Sequence, residues 1–153
     1  MNAEEGRGAE ESGELELGSL SEVILGCAIQ VQRALGSGLL EGAYEACLVH
    51  ELESAGLSVQ RQVPIDITYG GMVVPGAYRL DLLVEDLIVL ELKTVDHLTD
   101  LHSAQLLTYL RFPGKRIGFL LNFWRWPLKD GGIKRLLNPK APPLSSAPPH
   151  SSA

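Results

Sequence analysis

At 153 residues the chain has room for one domain of ordinary size with a real core, and too little for two. Its 45% apolar and 21% charged residues exclude a disordered or membrane-embedded chain, and its two cysteines, without CxxC spacing, exclude a four-thiolate zinc site or an iron–sulfur cluster. The net charge of −6 argues against a generic nucleic-acid binder, yet it is unevenly spread: residues 111–140 hold eight bases and one acid, while everything before them is acidic on balance.

Taken in chain order, residues 1–18 carry six glutamates and no apolar periodicity, and are expected to be a disordered acidic tail. There is no basic and apolar leader, and no apolar run approaches the roughly 20 residues that span a bilayer, so a cytoplasmic location away from membranes is expected. Leu20, Val23, Ile24, Cys27, Val31 and Leu35 recur at helical spacing up to Gly36, which predicts a first helix. A second runs from Leu39 to Ala55 through Leu40, Tyr44, Cys47, Leu48 and Leu52, closed by Gly56. Cys27 and Cys47 are expected buried, reduced and structural.

Strands follow. Val59, Arg61 and Val63 alternate, as do Ile65, Ile67 and Tyr69, and Gly70-Gly71 turns the chain towards Met72–Val74. Tyr78–Val84 and Leu87–Lys93 form a further hairpin, the second arm apolar enough for a central strand. Leu98–Leu110 is helical, 116–123 is a buried strand, and 133–137 can add a short edge strand. From Pro139 a Pro/Ser-rich stretch to residue 153 is expected to be disordered, leaving a folded domain over 19–138.

Chemistry concentrates in the second hairpin. Alternation is expected to place Arg79 and Asp81 on one face with Leu80 and Leu82 on the other, and to project Glu91 and Lys93 together away from Leu90 and Leu92. For Asp81 to face Glu91 the turn must be odd: a three-residue turn at 85–87 pairs Val84 with Ile88, whereas a two-residue turn at Glu85-Asp86 would set Asp81 opposite Leu90. Two carboxylates on neighbouring strands repel, and a hard divalent cation such as Mg²⁺, with Mn²⁺ as a substitute, relieves that repulsion. A lysine two residues beyond such a glutamate can orient or deprotonate water, or neutralise charge on a phosphate. On its own, a D…ExK pattern also fits an exposed salt-bridged hairpin.

Four segments carry a resemblance. Gly38-Leu39-Leu40-Glu41-Gly42-Ala43-Tyr44 reproduces GxxExxY at a helix start, while Arg79-Leu80-Asp81 and Glu91-Leu92-Lys93 supply the hairpin pattern. Gln105 to Tyr109 matches QxxxY, and 118–123 with 129–135 matches the last strands. Together they resemble the PD-(D/E)XK nuclease superfamily, specifically its GxxExxY group, although Tyr78-Arg79-Leu80 lacks the proline of the name motif. The resemblance implies an α/β, restriction-endonuclease-like core in αβββαβ order with a four-stranded mixed sheet flanked by helices. It implies a metal-dependent nuclease acting on DNA, or RNA, with a catalytically weak or silent binding module of the same fold as the alternative.

It also implies roles. Glu41 would be the outermost carboxylate, Asp81 and Glu91 the central metal ligands, Leu92 a carbonyl ligand, Lys93 the catalytic lysine, and Gln105 a residue orienting Lys93 or substrate. Tyr44 and Tyr109 touch the site or pack, and Lys115, Arg116 and Lys134 are candidates for phosphate contact in the basic segment. His50, His97 and His102 lack paired ligand spacing and read as ordinary residues. Trp124-Arg125-Trp126-Pro127 can stack on unpaired bases or pack as an aromatic loop. Without a separate recognition module, targeting is expected to rely on a partner or a homodimer.

Overall fold

The computed structural model of the chain describes residues 3–141. Of the stretch 139–153 expected to be disordered, 139–141 form a turn in which the Ala141 N–H bonds the Asn138 carbonyl at 3.3 Å, and 142–153, like Met1 and Asn2, lie outside the described residues. Helices α1 (Ala3–Leu35) and α2 (Glu41–Ser54) lead into strands β1 (Val59–Tyr69), β2 (Met72–Val84) and β3 (Ile88–Lys93); α3 (Asp100–Arg111) then precedes β4 (Ile117–Asn122) and β5 (Ile133–Leu137). The sheet is mixed and five-stranded in the order β1-β2-β3-β4-β5, with β3 and β4 parallel and every other pair antiparallel. Five strands replace the expected four because Ile133–Leu137 pairs with β4 along its whole length, Leu121 opposite Ile133 and Ile117 opposite Leu137. No helix among the described residues is long and apolar enough to cross a membrane.

The first helix differs from expectation. It begins at Ala3, within the stretch read as a disordered tail. Glutamate, alanine and leucine are good helix formers, and Leu17 is buried in the core while Glu14 pairs with Arg116. The buried stripe is Leu17, Ser21, Ile24, Ala28, Val31 and Gln32, whereas Val23 and Leu35 face solvent. Two polar residues on that stripe disguised it. Ser21 donates to the Leu17 carbonyl at 2.7 Å. Gln32 donates to the carbonyls of Phe123 (3.0 Å) and Arg125 (2.6 Å) and accepts from the Leu128 N–H (2.7 Å), so its buried amide is satisfied by a loop over 90 residues away.

Two apolar layers enclose the sheet. Helices α1 and α2 cover Leu82, Val84, Ile88, Leu90, Leu92, Ile117, Phe119 and Leu121. On the other side, Leu106 and Leu110 of α3 cover Leu80, Leu83, Val89 and Leu120. A Cβ at Gly118 would lie 3.1 Å from both of these α3 leucines, so glycine is what lets the helix close on β4. Cys27 and Cys47 are free and only half-buried, at the margin of the first layer rather than inside it.

The hairpin register is the odd one. Val84 pairs with Ile88, Leu83 with Val89 and Leu82 with Leu90. Glu85 and Asp86 both take positive φ, the Leu87 N–H bonds the Val84 carbonyl, and Leu87 is the extra residue that shifts the register. The expected facing of Arg79, Leu80, Asp81 and Leu82 does not hold. Leu82 packs under α1 and α2 whereas Leu80 packs under α3, so β2 changes sides at Asp81. Its partner strand does the same. Val59 packs in the first layer and Val63 and Ile65 in the second, with Gln62 between them at φ +50°. A non-glycine residue in the left-handed region breaks the two-residue period of a strand.

Candidate active site

The crossover at Gln62 and Asp81 opens the sheet where carboxylates enter it. Past the Leu82–Leu90 pair, side chains take over the bonding: the Asp81 N–H donates to Glu91 Oε1 at 3.1 Å, and the Leu92 N–H donates to Asp81 Oδ2 at 2.9 Å. Asp81 and Glu91 are thus brought together as expected, each holding the backbone of the other's strand. Glu91 is only 5% exposed. Burial first, and the neighbouring Asp81 charge second, push its carboxyl up to about 8. The Asp81 carboxyl is also raised, chiefly by burial and further by Glu45, against the bond from Leu92.

A cavity of about 150 Å³ opens beside Asp81, lined by Glu41, Gly42, Glu45, Gln62, Asp81 and Leu92. Glu41 reaches it as the first residue of α2 and stays exposed. Glu45 was missed by sequence reasoning, although its four-residue step from Glu41 puts it on the same helix face. It accepts from Arg61 (2.9 Å) and Gln62 (2.8 Å), which ties α2 to β1. Gln62 carries no sequence signal. Lys93, half-buried at the end of β3, forms no ion pair within 4 Å among the described residues, while its charge counteracts the upward shift of both carboxyls.

Tyr44 belongs to the core. Its ring, fully buried, stacks on Phe123 at 4.6 Å, while its hydroxyl donates to the Gly36 carbonyl (2.6 Å) and accepts from the Leu39 N–H (3.1 Å). The GxxExxY segment therefore splits its work: the tyrosine anchors the helix start and the glutamate faces the cavity. Tyr109 packs and also faces the site. It stacks on Tyr78 at 4.4 Å, and its phenol is raised by burial, then by the Glu91 and Asp81 charges. Gln105, one turn earlier, is exposed. His102 is engaged in capping α3, accepting from the Thr99 N–H at 3.0 Å.

The basic segment does not act as one patch. Lys115 is buried and donates to the carbonyl and carboxylate of Asp86, both at 2.9 Å, so it staples the β2–β3 turn instead of facing solvent. Arg116 pairs with Glu14. Lys134 is exposed on β5, in the row Glu91, Leu120, Lys134 across the sheet. Asn122, a buried polar residue ending an apolar strand, binds Val95 through both its amide atoms (2.8 and 3.1 Å). It fixes the chain just beyond Lys93, and that interruption of an apolar run was its available signal.

A model of the PD-(D/E)XK nuclease superfamily matches residues 18–136. The chain belongs to the PD-(D/E)XK nuclease superfamily. No curated protein matches, and neither does any solved structure. Nucleases of this superfamily generally use divalent metals. The donors here fit such an ion: two neighbouring carboxylates whose charges repel, one of which, Asp81, opens on a cavity it shares with Glu41 and Glu45. No group of three or more His, Cys, Asp or Glu converges to ligand distance among the described residues.

Burial of Glu91 gives a pH signature. Its folded-state pKa of about 8 lies above the ordinary value, so the folded protein holds a proton that the unfolded chain has already released. Metal-free stability is therefore expected to fall as pH rises from about 4.5 to about 8, by on the order of a few kcal/mol, and then to level off. Thermal melts in chelator across this range check it; Glu91→Gln should flatten the profile, and an unchanged slope in that variant would place the titration elsewhere.

Proposed function

We propose that the chain is a Mg²⁺-dependent nuclease, with Mn²⁺ as substitute, that hydrolyses phosphodiester bonds in nucleic acid within the cytoplasm, DNA before RNA. The observation that carries this reading is the half-buried to buried Asp81–Glu91 pair, both carboxyls raised by burial, beside a lysine with no ion-pair partner among the described residues. Asp81 and Glu91 would hold the ion, with the Leu92 carbonyl and Glu41 completing its shell. When bound, it would supply a Lewis acid that activates water and offsets phosphate charge. Lys93 orients the attacking water or donates to the oxygen on which charge develops. Exposed Gln105 contacts substrate, and Tyr109 keeps a neutral phenol towards the carboxylates. A homodimer or a targeting partner supplies site selection.

Incubating labelled single-stranded and duplex DNA with the full chain tests this reading: cleavage is expected with Mg²⁺ and none with EDTA. One observation favours a second reading, a binding module with weak or silent chemistry, namely that no group of three or more His, Cys, Asp or Glu among the described residues is gathered closely enough to hold an ion. Metal-bound protein that never cuts would support it.

Of the basic candidates, Lys134 is the one free to meet a phosphate. Lys134→Ala should lower the slope of log K against log salt by about 0.7 on a single strand or 0.9 on duplex. Lys115→Gln should instead lower thermal stability, because it unpins Asp86. Binding measured at several salt concentrations would count against Lys134 if the slope did not change.

A further inference from the structure

The loop after β4 leaves two large aromatic rings in solvent. Trp124 is 51% exposed and Trp126 55%. Tryptophan is highly buried on average, so two exposed rings in one loop are unusual. The loop is not slack. From below, the buried amide of Gln32 binds Phe123, Arg125 and Leu128. From within, Arg125 N–H bonds the Asn122 carbonyl (3.0 Å), Asp130 N–H bonds that of Pro127 (2.9 Å), and Arg125 Nε bonds that of Asp130 (2.8 Å). Its backbone is held by the core while about half of the surface of each tryptophan stays open to solvent, an arrangement that presents the rings.

Position joins this loop to the candidate active site. β3 and β4 are the parallel pair, with Lys93 opposite Asn122, so both carboxyl ends emerge together. The Phe123 N–H bonds the Lys93 carbonyl at 2.9 Å, and Asn122 Oδ1 takes N–H bonds from Val95 (3.1 Å) and Trp124 (3.3 Å). Trp124 therefore stands two residues past the strand partner of Lys93. Arg125 and Lys129 are exposed in the same loop as the rings, with one acid in that loop, Asp130, and Lys134 and Arg135 are exposed on the strand that follows it, β5. Aromatic faces among cations suit a strand whose bases are free to stack and whose backbone is anionic; paired bases in a duplex keep their faces covered.

We propose that Trp124 and Trp126 form a stacking platform for unpaired bases, which makes single-stranded nucleic acid the substrate class of the adjacent site. This rests on the nuclease reading for the word substrate, and on the loop alone for binding. The two rings are the only tryptophans in the chain, so its tryptophan emission reports this loop. The full chain, in EDTA, is titrated with oligothymidylate and with a blunt duplex. Saturable quenching by the single strand and far weaker quenching by the duplex are expected. Trp124→Ala and Trp126→Ala should each weaken single-strand binding about 5- to 150-fold, followed by anisotropy of a labelled strand, with Trp124→Phe recovering most of the loss.

Absence of quenching, equal quenching by duplex, or full affinity in the double alanine variant overturns the platform. Cleavage with Mg²⁺ in parallel separates the two readings. Quenching without cleavage keeps the platform and removes the nuclease; cleavage without quenching does the reverse.

Discussion

Lys93→Ala should reduce Mg²⁺-dependent cleavage on the order of 10²- to 10⁴-fold while Mg²⁺ affinity holds or rises. The reasoning is electrostatic. Lys93 counteracts the raised pKa of both carboxyls, so it lies close enough to repel an incoming cation, yet it neutralises neither of them in an ion pair within 4 Å. Removing it takes away a competitor for the cation and, at the same time, the group positioned to act on water or on the phosphate oxygen. Single-turnover cleavage beside calorimetric Mg²⁺ titration measures both halves. Full cleavage by the variant would remove Lys93 from the chemistry.

Asp81→Asn should abolish measurable Mg²⁺ binding and leave the metal-free fold as stable as before or more so. The amide oxygen can still accept from the Leu92 N–H, and the charge that helps to push Glu91 up is gone. Glu91 then ionises at lower pH, so part of the stability lost above pH 4.5 should return. Titration and thermal melts on the same preparation decide it: wild-type affinity in Asp81→Asn would refute the carboxylate assignment, and a collapsed fold would show that the carboxylate is structural.

What could be seen in advance divides along physical lines. The apolar run of β3 announced a strand buried on both faces, and Leu90, Leu92 and Ile88 do enter the α1–α2 layer while Glu91 leaves it. The sequence left the turn at two or three residues, and only the demand that Asp81 face Glu91 favoured three; the structure has three, because strand pairing has a period of two and one extra residue, Leu87, settles which side chains oppose. The crossing of β1 and β2 between layers was invisible, since nothing in Gln62 announces a φ of +50°. Polar residues used internally were misread for the same reason. Lys115 looks like a surface cation until Asp86 is found above it, and Gln32 looks like a break in a stripe until the Trp loop supplies its partners. The beginning of α1 was hidden by composition, for a glutamate-rich segment reads as solvated chain unless Leu17 has a core to enter.

The stack of Tyr44 on Phe123 has a mechanical meaning. Tyr44 is on the helix that begins with Glu41, and the Phe123 N–H is bonded to the Lys93 carbonyl, so the two ends of the site share one rigid mount. The helix that begins with Glu41 is fixed to that mount by a close-packed ring contact, not by a hinge. Were Glu41 to join a cation, the adjustment would come from its own exposed side chain, and is expected to be as fast as a surface rotamer change and not as slow as a helix displacement.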